Sequence, residues 1–287
     1  MRTVEGFKDY ELIDADKGER LERWGDIILI RPDPQIIWSG KRTDKRWYNA
    51  NAIYHRSNQG GGYWEKLKSV PEVWSIKYHD LTFNLKTMGF KHTGLFPEQA
   101  VNWSLAAELI KKADREISVL NLFAYTGGAT VACLKAGANV THVDASKGMV
   151  QWAKENAVAS SVSDRNVRWL VDDCMKFVKR EIRRGKKYDA IIMDPPSYGR
   201  GPGGEVWKLE QQLGELLCDA GKLLSDDAVF FFLNSYTGGL SPSILNYMVK
   251  RYIQGERNGE VFTDEIGLYV TDKGMSLPCG NTTVWKR

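Results

Sequence analysis

Three short stretches carry the residue types needed for chemistry on a nucleotide-bearing cofactor. The first, Asn121-Leu122-Phe123-Ala124-Tyr125-Thr126-Gly127-Gly128, is an apolar strand running into two glycines, where the backbone can approach a ligand with no Cβ in the way. About one βα unit later, Val140-Thr141-His142-Val143-Asp144 reads as a second strand ending in a carboxylate, placed to accept hydrogen bonds from both hydroxyls of a ribose. The third, Ile191-Ile192-Met193-Asp194-Pro195-Pro196-Ser197-Tyr198, ends a strand in a rigid Pro-Pro step with an aromatic just beyond. A glycine pair by itself marks only a tight turn, and a strand-terminal Asp often caps a helix. The order of all three points to an adenosine-containing cofactor with an acceptor pocket beside Asp194.

The surrounding pattern supplies the elements that must hold these residues. After His92 long amphipathic segments alternate with apolar runs. The expected order is a helix over 97–113, strand 117–123, a helix after Gly128, a strand to Asp144, and helix 147–159 capped by Ser146. Strand 167–171 leads to Asp172-Asp173 and helix 175–184, and strand 188–193 leads to Asp194. Helix 209–223, strand 228–233, helix 243–252 and a strand pair around 266–270 and 282–285 complete the series. Such alternation predicts an α/β fold, a largely parallel Rossmann-like sheet with helices on both faces, closed by an antiparallel pair. Ligands bind at the carboxyl ends of such strands, where Asn121, Asp144, Asp173, Asp194 and Asn234 fall.

Up to about Leu85 the segments are short, β-rich and broken by turns, including Gly60-Gly61-Gly62. The expected organisation is a small, mostly β accessory domain over 1–90 and the α/β domain over 91–287. Of the 10 Trp, Trp24, Trp38, Trp47, Trp64 and Trp74 fall in the first part, either as core of a small barrel or as a flat surface for RNA. The composition, 43% hydrophobic and 26% charged, excludes a disordered chain, and the net charge of +4 permits an acidic partner without requiring one. No apolar run is long enough for a signal peptide core or a membrane span, so a cytoplasmic protein is expected. Cys133, Cys174, Cys218 and Cys279 form no CxxC pair, which argues against a metal site or a disulfide framework.

From about Gly94 onward the chain resembles the class I S-adenosylmethionine-dependent methyltransferases, and within them the bacterial ribosomal RNA large-subunit methyltransferase group. The matching pieces are the Asn121 to Gly128 segment, Asp144, Asp172-Asp173, Asp194-Pro195-Pro196-Ser197-Tyr198-Gly199-Arg200-Gly201, and Gly94-Leu95-Phe96-Pro97-Glu98-Gln99 ahead of the first helix. The resemblance implies S-adenosylmethionine as cofactor, with contacts at Phe96, Glu98, Gln99, Asn121, Phe123, Tyr125, Thr126, Gly127, Gly128, Asp144, Ala145, Ser146 and Asp194. Asp173 or Asp172 would accept from the adenine amino group. It implies Asp194, Pro195, Pro196 and Tyr198 at the point of transfer, Asp194 orienting the acceptor and Tyr198 stacking on it, and ribosomal RNA as partner.

The methylated atom is less closely specified. Amine methyltransferases of this kind carry an aromatic directly after the prolines, whereas here Ser197 intervenes. Methylation at cytosine carbon 5 requires a thiolate that attacks the ring, and Asn234-Ser235-Tyr236-Thr237 after a late strand offers no Cys, leaving only Cys279. Nitrogen is therefore favoured over carbon 5. Arg200, Trp207 and Asn234 are candidates for substrate contact. The cluster Lys179, Arg180, Arg183, Arg184, Lys186 and Lys187 reads either as a phosphate-binding face or as a solvated helix. A same-fold enzyme acting on protein or a small molecule and a non-catalytic cofactor-binding protein are the rival readings. A nicotinamide dehydrogenase is disfavoured, because the turn lacks GxGxxG.

Overall fold

Apolar runs bounded by turn residues become strands throughout the computed structural model, and the periodic segments between them become helices. The first half holds β1 (Arg2–Thr3), β2 (Tyr10–Asp16), β3 (Glu19–Trp24), β4 (Ile27–Pro32), β5 (Ala52–Arg56), β6 (Gly62–Lys66), β7 (Trp74–Tyr78) and β8 (Leu81–Leu85). Then come α1 (Ala100–Lys112), β9 (Ser118–Leu122), α2 (Gly128–Lys135), β10 (Asn139–Asp144), α3 (Lys147–Ala159), β11 (Val167–Val171) and α4 (Cys174–Arg183). The remainder is β12 (Ala190–Met193), β13 (Tyr198–Arg200), β14 (Val206–Lys208), α5 (Leu209–Leu223), β15 (Phe230–Ser235), α6 (Pro242–Val249), β16 (Glu260–Val270) and β17 (Met275–Lys286). The structure describes residues 1–57, 61–200, 204 and 206–287, Arg200 by its backbone alone. Gly60 of the first glycine break, Gly201 and the Arg200 side chain lie outside the described residues.

The chain divides into two units, one of Met1–Arg2, Val101–Ile266 and Cys279–Arg287, the other of Thr3–Ala100 and Gly267–Pro278. In the first unit the strand order is β11-β10-β9-β12-β15-β17, parallel through β15 and antiparallel at β15–β17. Strand order reverses between β9 and β12, which makes the crevice beyond those two strands the switch point where α/β sheets bind ligands. The register levels the carboxyl ends: Leu122 pairs with Val143 and Met193, and Met193 with Leu233. Phe123, Asp144, Asp194 and Asn234 are the next residues in their strands and therefore form one row across the edge. The central strands are covered on both faces, so Phe230, Phe231, Phe232 and Leu233 are all buried. Burial of such a side chain is worth roughly 1.5–3 kcal/mol.

In the second unit β2, β3 and β4 form an antiparallel meander, β5 joins β4 in parallel, β6 closes the edge, and Val270 of β16 pairs with Leu12. β7 and β8 make a separate hairpin. Ile13, Leu21, Ile30, Trp47 and Ala50 form a core. Of its tryptophans, Trp24 and Trp47 are buried in keeping with a core use, whereas Trp38 is exposed, its Nε1–H donating to Ala15 O at 2.8 Å.

Candidate cofactor and acceptor site

The turn after β9 bends through a left-handed conformation three times within five residues, at Phe123 (φ 55°), Tyr125 (φ 51°) and Gly127 (φ 81°). Residues with a Cβ adopt this conformation only when neighbours hold them there. Phe123 N–H donates to Cys174 Sγ (3.3 Å), Ala124 N–H to Val143 O (3.1 Å) and Tyr125 N–H to Asp144 Oδ2 (2.8 Å). Packing gives the glycines a reason of its own, apart from the ligand approach expected from the sequence. A Cβ on Gly127 would lie 2.8 Å from the Ala153 Cβ of α3, and one on Gly128 would lie 2.6 Å from Trp103 Cζ2 of α1. Helices α1 and α3 occupy that space. Thr126 is buried, and its carbonyl accepts from Asn156 Nδ2 at 2.8 Å.

Asp144 is gripped from the other side by Ser146 N–H, which donates to Oδ1 at 2.8 Å. Burial raises its carboxyl above the usual range, while the N–H groups of Ser146 and Tyr125 oppose that shift. An ionised carboxylate offers about four acceptor positions; two are taken, and two remain for a vicinal diol. These acceptors fit the ribose hydroxyls of an adenosine cofactor. Ala145 is half-buried, and Ser146 caps α3 through Met149 N–H at 3.4 Å. Of the two acids after β11, Asp173 caps α4 by accepting from Lys176 N–H at 2.9 Å, and Asp172 pairs with Arg180.

At the neighbouring strand end Asp194 is half-buried, Pro195 buried, and Pro196 and Ser197 exposed. Tyr198 is 54% exposed and opens β13, a hairpin with β14 that the sequence pattern did not reveal. Trp207 on β14 faces inward. Its ring packs on Phe123 at 5.3 Å and its Nε1–H donates to Pro196 O at 2.5 Å, so it buttresses the Pro-Pro turn and leaves no open face for a base. Trp207 thus links the turn after β9 to the Pro195-Pro196 segment.

Two of the strand-end amides lie deeper than expected. Asn121 sits one pair below the edge, opposite His142 and Ile192, and its Nδ2 donates to Thr130 Oγ1 at 2.9 Å. Thr130 Oγ1 in turn lies 2.9 Å from His142 Nδ1, a buried relay that spacing alone did not disclose. Asn234 belongs to a buried triad, its Oδ1 accepting from Asn102 Nδ2 (3.0 Å) and Thr282 Oγ1 (2.8 Å). Neither amide is on the surface. In the second unit Phe96 lies 5.0 Å from the His92 ring, and Glu98 and Gln99 are buried. Burial raises the Glu98 carboxyl, with the charges of Arg20 and Arg31 working in the other direction.

Much of the basic cluster on α4 is satisfied from within. Lys179 pairs with Glu215 (2.6 Å), Arg180 with Asp172, and Arg184 with Glu181 (2.9 Å), while Lys187 Nζ donates to Lys222 O at 2.8 Å. Cys133, Cys174 and Cys279 are buried, and Cys218 is exposed on α5. Burial pushes the Cys133 thiol up to about 12 and raises that of Cys174 as well. Among the described residues no group of three or more His, Cys, Asp or Glu is placed to hold a metal ion, and no helix is long and apolar enough to cross a membrane.

The family model of S-adenosylmethionine-dependent methyltransferases matches residues 51–246. The ribosomal RNA large subunit methyltransferase K/L of Shewanella frigidimarina is 34% identical over 218 residues, 74% of this chain and 28% of that protein. Its counterpart from Colwellia psychrerythraea is 27% identical over 235 residues, 81% of this chain and 30% of that protein. The chain therefore spans less than a third of either curated relative. The solved SAM-dependent methyltransferase from Agrobacterium tumefaciens superposes with a TM-score of 0.94 at 36% identity, covering 99% of this chain and 92% of that one. A switch-point crevice with a diol-ready carboxylate, and a family match over most of the chain, agree: the chain belongs to the S-adenosylmethionine-dependent methyltransferases, and S-adenosylmethionine is its cofactor.

Proposed function

We propose that the chain methylates a base of ribosomal RNA, at a ring or exocyclic nitrogen in preference to cytosine carbon 5. The observation that carries this reading is the row of strand ends, which sets the Asp144 carboxylate, the Phe123 turn and Asp194 along one edge, with Tyr198 exposed a few residues beyond. The names of the curated relatives support RNA as the acceptor. A ribosomal acceptor would place the enzyme in the cytoplasm.

When bound, the cofactor supplies a methyl group on a positively charged sulfur that is already activated for displacement. The work left to the protein is positioning. Asp144 holds the ribose, and Tyr198 stacks on the flat base. Asp194 accepts a hydrogen bond from the base N–H, turns the nitrogen lone pair toward the methyl, and takes up the proton released as the new bond forms. Transfer to carbon 5 would need a thiolate. Burial keeps Cys133 and Cys174 protonated, and Cys279 is enclosed, which supports nitrogen.

The test is transfer of a labelled methyl from S-adenosylmethionine to ribosomal RNA from a strain lacking this protein, with DNA and protein extract in parallel, followed by nucleoside digestion. Label in one RNA nucleoside is expected, and the nucleoside identifies the atom. Label in the protein fraction alone would overturn the RNA reading.

A further inference from the structure

The loops that follow β12 and β15 are tied to each other by two side chains with no part in the cofactor turn. Ser197 Oγ and Thr237 Oγ1 lie 2.7 Å apart, the distance of a hydroxyl–hydroxyl hydrogen bond. The two strands are adjacent and parallel, and each hydroxyl stands four residues past the paired Met193 and Leu233. The bond therefore bridges equivalent points of neighbouring loops, directly beyond the strand ends. Ser197 is exposed and Thr237 half-buried, so the bond contributes little to the core.

Two further bonds hold the turn from the α5 side. Pro196 O accepts from Trp207 Nε1 at 2.5 Å, and Ser197 O accepts from Leu209 N–H at 3.1 Å, both partners on the segment that leads into α5. On the other side Thr237 N–H donates to Ser235 Oγ at 3.3 Å, which fixes the second loop to its own strand. The Ser197 hydroxyl closes the gap between these two supports. Tyr198 follows immediately, and any shift of Ser197 moves its ring.

We propose that Ser197 and Thr237 are positioning residues for the acceptor: their bond sets the width of the gap between the two loops, and with it the placement of Tyr198 against a flat acceptor. This rests on the reading of the Asp194 to Tyr198 segment as the acceptor edge. Hydroxyls suit the task, because each can donate and accept at once. The pair can hold its mutual bond and still offer a polar contact to the edge of an incoming base.

The experiment compares Ser197→Ala, Thr237→Val, the double variant and Ser197→Thr in the full chain. Amide hydrogen exchange with S-adenosylhomocysteine bound reads the latch without any acceptor. Exchange over 198–200 and 206–209 should speed up in each single variant, rise no further in the double, and stay near wild type in Ser197→Thr. In the labelled-methyl assay the KM for undermethylated ribosomal RNA should rise about fivefold, the scale of one neutral hydrogen bond, with kcat and cofactor affinity unchanged. Unchanged exchange overturns the proposal by itself. Faster exchange with an unchanged KM overturns the positioning role, and additive single effects show that the two hydroxyls act separately. A wild type that labels no RNA defeats the ribosomal reading instead, and the KM comparison is then made on the extract fraction that the wild type labels.

Discussion

Tyr125 N–H donates to Asp144 Oδ2 across 2.8 Å while Tyr125 itself is held at a φ of 51°. The acid proposed to face the ribose is thus also the clamp on the strained turn beside it. Ser146 N–H donates to the other oxygen at 2.8 Å, so the carboxylate joins β10, the turn after β9 and the start of α3. On this reading, loss of its charge should remove a cofactor contact and relax the turn together.

Asp144→Ala should therefore weaken S-adenosylmethionine binding on the order of a hundredfold, the scale of two charge-assisted hydrogen bonds. Asp144→Asn keeps one acceptor for a backbone N–H and should lose less. Titration calorimetry with both variants measures this, and wild-type affinity in Asp144→Ala would take the residue out of the cofactor site. The carboxyl is raised by burial, so it protonates at a higher pH than an exposed aspartate. Wild-type affinity should fall on acidification at a pH above the ordinary aspartate range, and Asp144→Asn should not show that fall.

Gly128→Ala should destabilise the fold by about 1–3 kcal/mol, because its new Cβ meets the Trp103 ring. Replacement of Trp103 by Leu in the same chain should recover part of the loss. Gly127→Ala should resist such rescue by Ala153→Gly, because its φ of 81° stays strained whatever space is opened. Urea denaturation of the two pairs measures the difference. Equal rescue at both positions would show that crowding alone explains the glycines.

The contrast explains what the sequence could and could not disclose. The succession of elements along the chain, the largely parallel sheet and the Asp144 and Asp194 strand ends follow from periodicity and punctuation, which are local properties. Ser146 as the cap of α3 was legible for the same reason. The roles of Gly127 and Gly128 were only half legible, because Ala153 and Trp103 are distant in sequence and nothing local announces their approach. Trp207, a candidate for substrate contact by its place in the sequence, is turned inward onto Phe123 by the pairing of β13 with β14, which nothing local announces. Asn234 sits at a strand end in sequence, yet Asn102 and Thr282 enclose it, so its amide serves the interior.

Burial pulls the His142 ring down to about 3, and its Nε2 has no partner among the described residues. In the unfolded chain the same ring titrates near 6.5. Below that pH the unfolded state takes up a proton that the folded ring refuses, so this contribution to stability is full above 6.5 and is lost as pH falls toward 3. The slope is about 1.4 kcal/mol per pH unit within that window, hence roughly 2 kcal/mol between pH 6.5 and 5. Urea unfolding of wild type and His142→Gln at pH 7 and pH 5 checks this. The variant should show the shallower pH dependence, and equal slopes would place the acid sensitivity elsewhere, with His92, also pulled down to about 3, the next candidate.

Asp194→Ala should separate binding from transfer. Asp194 follows Met193 at the strand end next to Phe123, whereas the Tyr125 N–H of the strained turn is held by Asp144, so cofactor affinity in Asp194→Ala should stay within about twofold of wild type. Turnover should fall at least about a hundredfold, the lower end of what a positioned acid–base group contributes. Asp194→Asn can still accept a hydrogen bond and orient the nitrogen but is a far weaker proton acceptor, and it should retain an acceptor KM near wild type with a reduced kcat. Calorimetry with S-adenosylmethionine beside the labelled-methyl assay reads both quantities. If Asp194→Ala keeps wild-type turnover, the proton leaves by another route and the acceptor is not held by this carboxylate.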